Sequence, residues 1–173
     1  MEIVSDLLKI LLPSSLVLVG MYLAIKNMVS KELEAAKLEI KNKNVEILLP
    51  LRLQATERLC LFLERMSLNN LIVRVNEPGI TTGHLHKKLL EELRNEYNHN
   101  LSQQVYISTK SWAAIKKSVQ DITTLINKSA EGMDANSKSI ELAKRIFDYS
   151  VSLKQDPTSY AIKMIKGEVQ QFF

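Results

Sequence analysis

The pattern of apolar and polar positions divides the chain into three stretches of different character. The first is almost continuously apolar: Ile10 to Ile25 carries no charge, and extension back to Leu7 meets only Lys9. About twenty apolar residues rising 1.5 Å each span the hydrocarbon core of a bilayer. Leu16 to Leu23 shows no polar face of the kind a core helix would carry. Residues 7–25 are therefore expected to form a transmembrane helix in contact with lipid. Tyr22 suits the interface, and Pro13 falls in the first turns, where a missing N–H costs least. The start, Met1-Glu2-Ile3-Val4-Ser5-Asp6, lacks the basic region of a secretory leader.

The second stretch, 26–49, has neither Gly nor Pro and is expected to continue the helix as a neck. Val29, Leu33, Ala36, Ile40, Lys43 and Ile47 alternate in spacings of four and three, a heptad-like stripe. Two readings stand side by side: an exposed neck whose lysines meet anionic lipid, and a homo-oligomer formed through a coiled coil. Lys26, Lys31, Lys37, Lys41 and Lys43 follow the span, against Lys9 alone on its other side. The positive-inside rule then puts the N-terminus outside and the rest of the chain in the cytoplasm.

From Pro50 onward the period is helical throughout. Pro50 fits the first turn of a new helix carrying Leu51, Ala55, Leu59, Phe62 and Met66 on one stripe. Residues 67–70 read as a stop and restart into a short segment ending at Val75, and Asn76-Glu77-Pro78-Gly79 as a turn. Thr82 is expected to cap a helix with Leu85, Leu89, Leu93, Tyr97, Leu101 and Val105 on its inner face. Ser108 or Thr109 caps the next, with Trp112, Ile115, Val119, Ile122 and Ile126 inward. After a loop at 132–136, Leu142, Ile146, Tyr149 and Leu153 mark a further helix. Asp156-Pro157 opens the last, with Ala161, Ile165, Val169 and Phe172 inward. The fold class expected is all-α: residues 1–25 as an extracytoplasmic tip and transmembrane helix, 26–49 as a helical neck, and 50–173 as an antiparallel bundle of about five helices.

Composition agrees with a helical chain: 173 residues hold only five Gly and four Pro. The single cysteine, Cys60, forbids an internal disulfide and fits a reducing compartment. The net charge of +4 does not point to nucleic acid. Residues 46–173 hold 17 Lys/Arg against 14 Asp/Glu, and no stretch combines dense cations with stacking aromatics.

Three polar groupings could carry chemistry. Glu92, Glu96, His99 and Gln103 share one helix face, and Glu96-Tyr97-Asn98-His99 has the Glu-x-x-His form of di-iron bundles. Those sites need the motif twice, and neither His84 nor His86 has a Glu three residues before it. A partial metal site or enzymatic bundle centred on Glu92, Glu96 and His99 is the alternative reading; a polar stripe is the leading one. Glu57-Arg58 and Glu64-Arg65 repeat at seven residues, which suits ion pairs between helices or a docking strip for a partner protein. Asn98, His99, Asn100, Gln103 and Gln104 form an amide-rich patch suited to buried hydrogen bonds or to recognition. No nucleophile with an adjacent base, phosphate-cradling loop or zinc spacing is present, so no catalytic residue and no cofactor is expected.

The stretches Leu49-Pro50-Leu51-Arg52-Leu53-Gln54-Ala55, residues 57–65, residues 98–104 and Ser139-Ile140-Glu141-Leu142-Ala143-Lys144 resemble an uncharacterised family of short bacterial proteins with one N-terminal span and a helical cytoplasmic domain. The resemblance implies a bacterial inner-membrane location and carries no residue roles. The expected function is a non-enzymatic scaffold, adaptor or accessory subunit of a membrane protein complex. Its docking residues would be Glu57, Arg58, Glu64, Arg65 and the amide-rich patch.

Overall fold

The computed structural model describes residues 2–152 and 156–172, without the side chains of residues 2–8, 10, 12 and 172. Six α-helices account for nearly all of it: α1 (Glu2–Met66), α2 (Leu68–Val75), α3 (Thr82–Asn100), α4 (Thr109–Ala130), α5 (Ser139–Ser152) and α6 (Pro157–Val169). Short 3-10 turns follow α3 at Leu101–Val105 and α6 at Gln170–Phe172. The described residues contain no strand, only an isolated bridge between Thr81 and Lys138.

Two compact units divide the chain, 1–49 and 50–173. In the first, every described side chain from Lys9 to Leu48 is exposed. Among the described residues no helix is long and apolar enough to cross a membrane. The anchor expected at 7–25 lies partly outside them, at the side chains of residues 7, 8, 10 and 12.

The second unit is a helical bundle. Its core takes Leu59, Phe62, Leu63 and Met66 from α1, Leu85, Leu89 and Leu93 from α3, and Ile115, Ile122 and Ile126 from α4. Leu71, Leu142, Ile146 and Ile165 close it from α2, α5 and α6. Each such side chain removed from water stabilises the fold by about 2 kcal/mol. α4 packs against α3, α5 and α6, and α3 also meets α2 and α5. Phe62, Tyr97 and Trp112 join three of these helices: Tyr97 lies 6.4 Å from Phe62 and stacks at 5.8 Å on Trp112.

Local signals account for most helix starts. Thr81, rather than Thr82, caps α3 by accepting from the His84 N–H. Ser108 caps α4 through the Ser111 N–H, and Asp156 caps α6 through the Thr158 N–H with Pro157 in the first turn.

Two boundaries differ from expectation. Pro50 does not open a helix, because α1 runs through it without a break. A proline loses one N–H donor and crowds the preceding carbonyl, but its φ is helical, and the packed apolar face from Ala55 onward sustains the helix beyond it. Leu51, expected inward, is accordingly exposed. α3 stops at Asn100, five residues early. The Asn100 amide turns back to the Glu96 carbonyl at 2.8 Å and competes with the backbone ladder. Leu101 and Val105 therefore leave the inner face, and Val105 is 79% exposed. Tyr149 is exposed as well, and Leu153 lies outside the described residues.

Candidate functional site

Two of the polar groupings meet across a single groove. It has a volume of about 580 Å³ and lies between the last turns of α1 and the last turns of α3. Arg58 and Arg65 stand on one wall; Glu92, Asn95, Glu96 and His99 stand on the other. Leu61 and Phe62 supply its apolar part. The seven-residue repeat puts the two arginines two turns apart on one side of α1. The spacing of four and three does the same for Glu92, Glu96 and His99 on α3.

The acids of the groove are already matched. Arg65 donates to Glu96 in a short charge-assisted contact. Arg74 of α2 reaches Glu92 at 3.2 Å and Glu96 at 3.7 Å. Glu96 is thus held between two guanidinium groups with its side chain only 16% exposed. Such a frame satisfies both carboxylates without a metal ion, and its positive charges oppose one. No group of three His, Cys, Asp or Glu capable of holding a metal is found among the described residues. Arg58 is exposed and enters no ion pair among the described residues. The same holds for Glu57 and Glu64, so the repeat yields one inter-helix pair, at Arg65, rather than two.

The amide-rich patch does not act as one surface. Asn98, His99 and Gln104 are exposed, Gln103 is half-buried, and Asn100 is buried against its own helix. Because α3 ends at Asn100, Gln103 does not continue the line of Glu92, Glu96 and His99. Only His99 and Asn100 of this patch line the groove. The pair His84 and His86 also separates: Leu85 between them is buried, and the His86 ring bonds the Asn127 side chain at 2.9 Å.

Two further features were not identified from the sequence. Arg74 is the first: it sits in the last turn of the short α2, and the signal for it is the two acids one turn apart at 92 and 96, which need a cation opposite them. Glu168 is the second. Its carboxylate accepts the Ser108 N–H at 2.8 Å, the Ser108 hydroxyl at 2.7 Å, the Ser111 hydroxyl at 2.5 Å and Arg52 at 3.1 Å. Burial pushes this carboxyl up, but the Ser111 and Ser108 bonds and the Arg52 charge outweigh it and hold it below the usual carboxylate range. Arg52 also donates from Nε to the Tyr106 carbonyl at 3.0 Å. Nothing local in the sequence announces this junction. Cys60, whose place in an apolar run suits a buried thiol, is half-buried. Burial pushes its thiol up, against a smaller opposing effect of Lys166 and a reinforcing one of Glu64, so it is a poor nucleophile.

A family model described as a family of unknown function (DUF7935) matches residues 2–172. No curated protein and no solved structure gives a significant match.

Proposed function

The chain belongs to the DUF7935 family of unknown function, and from that premise we propose that it is a non-enzymatic scaffold or adaptor of a bacterial inner-membrane complex. In this reading residues 7–25 anchor it, with the N-terminus outside. The helical bundle on the cytoplasmic side docks a protein partner in the groove between α1 and α3.

The observation that carries the proposal is the imbalance of charge in that groove. Glu92 and Glu96 are engaged by Arg74 and Arg65, while Arg58, beside exposed Leu61, enters no ion pair among the described residues. An acidic, amphipathic segment of a partner fits such a wall: its carboxylate meets Arg58 and its apolar side covers Leu61 and Phe62. Support for the anchor comes from the uncharged run 10–25 and the five lysines that follow it.

Extraction of the full chain in mild detergent, followed by copurification, tests the docking role. Arg58→Glu is expected to strip a stoichiometric partner from the preparation while leaving the far-ultraviolet circular dichroism unchanged. Recovery of the same partner with Arg58→Glu, or of the unsubstituted chain alone, would overturn the groove assignment. Alkaline washing of membranes tests the anchor separately. The full chain should stay in the pellet, and its release would remove the anchor from the proposal.

A further inference from the structure

Beyond the uncharged run 10–25, apolar side chains remain uncovered in the first unit along residues 29–47 of α1. Val29, Leu33, Ile40 and Ile47 are between 53% and 65% exposed, and with Ala36 and Lys43 they form one stripe along the helix. We infer that this stripe is the seam of a parallel two-stranded coiled coil with a second copy of the chain, in register from Val29 to Ile47. The inference does not rest on the groove.

Charge selects both the partner and its direction. With Leu33, Ile40 and Ile47 at a positions, the flanking g positions are Glu32, Glu39 and Glu46, and the e positions are Ser30, Lys37 and Asn44. In a parallel pair each g residue faces the e residue five places later in the other copy. Glu32 then meets Lys37 twice, once from each side, and Glu39 meets neutral Asn44. In an antiparallel pair the g positions face one another, and the three glutamates repel.

The opposite side of the helix also carries apolar residues, Ala35, Leu38, Val45 and Leu49, interrupted by Asn42. Paired in parallel on that side, Lys41 meets Glu46 but Glu34 meets Glu39, so attraction and repulsion cancel. The first stripe is the one with a net charge preference.

Lys43 is the single charge in the seam, and the structure shows how it is accommodated. Its ammonium extends sideways to Glu39 at 2.8 Å, at the edge of the stripe. Its methylene stem stays available to pack while the charge remains solvated. In register Lys43 faces the other copy's Lys43, which lowers stability, and a polar residue at one seam position restricts the registers the pair can take.

Cross-linking of the full chain in detergent micelles under mild oxidation tests orientation. Val29→Cys and Ile47→Cys should each give a disulfide-linked dimer above the background of the unsubstituted chain, because both ends face themselves only in a parallel, in-register pair. Leu38→Cys should not. Charge exchange tests register: Lys37→Glu should weaken dimerisation about tenfold in sedimentation equilibrium, and Glu32→Lys combined with Lys37→Glu should restore it. All these positions are exposed, so circular dichroism should show the bundle intact in each variant. A chain that sediments as a monomer would overturn the inference. So would Leu38→Cys cross-linking as efficiently as Val29→Cys, or an exchange that fails to restore association.

Discussion

Glu168 shows most directly how single side chains hold the bundle together. It sits where the N-terminus of α4, the 3-10 turn before it and the second unit's part of α1 meet, and it places a full negative charge at the start of α4, accepting the Ser108 N–H and the Ser108 and Ser111 hydroxyls. Because its carboxyl is held below the usual range, the native state favours the ionised form more than the unfolded chain does. That contribution is complete above the unfolded value of about 4.3 and is lost as pH falls through the lower folded value. Glu168→Gln keeps the shape but removes the charge, and should cost about 2 kcal/mol at neutral pH. Thermal melts from pH 7 to 3 check this. The unsubstituted protein should lose melting temperature more steeply below pH 4.5 than the variant, and parallel acid limbs would contradict the assignment. The residue was invisible in the sequence because its partners are 57 to 116 positions away along the chain. Asp156, by contrast, was readable at once, since its partner is two residues on.

At the scale of helices the same distinction between local and distant causes separates what was foreseen from what was not. Ser108 and Asp156-Pro157 mark helix starts because capping involves only three neighbouring residues. The inward faces of α4 and of the first part of α3 follow from periodicity alone. The early end of α3 does not, because it depends on the Asn100 side chain choosing a backbone carbonyl over solvent. Continuity through Pro50 depends on packing that begins at Ala55. The contact of Gly83 with the loop before α5 is another distant effect. A Cβ at Gly83 would lie 3.1 Å from the Ala135 Cβ and 3.3 Å from its carbonyl oxygen. Alanine is the better helix former by about 1 kcal/mol, yet here the crowding should offset that gain, and the Gly83 N–H bond to the Ala135 carbonyl would be displaced. Gly83→Ala is expected to destabilise by about 1 kcal/mol in urea denaturation. Stabilisation would show that the loop yields freely. Asp156→Ala serves as the local counterpart, with an expected loss of about 1 kcal/mol.

For the molecule as a whole, the division at residue 49 separates two kinds of stability. The first unit buries none of its described side chains up to Leu48, so no side-chain burial within its own helix offsets the ordering of its backbone. The second unit encloses a shared core drawn from all six helices. A fragment of residues 50–173 should therefore fold alone, with a single cooperative transition and helical circular dichroism. It should also stay monomeric at concentrations where the full chain associates. Loss of cooperativity in the fragment would mean that residues before 50 contribute to the core. Of the candidate site, the paired strips on α1 and α3 were readable as helix faces. That they oppose each other across one groove was not, since it requires the orientation of two helices and the intervention of Arg74 from a third.

The Glu168 junction has a consequence for the order in which the protein is made. Ribosomes deliver Ser108 and Ser111 roughly sixty residues before the carboxylate that binds them, and Arg52 is earlier still, 116 positions away. Through that interval α4 begins with no cap but Ser108, and the surface reserved for α6 stays open to water. The bundle therefore cannot be completed piecemeal as it emerges: its closing step waits for α6, leaving an interval in which a chaperone or a premature apolar contact competes for the vacant face of α4.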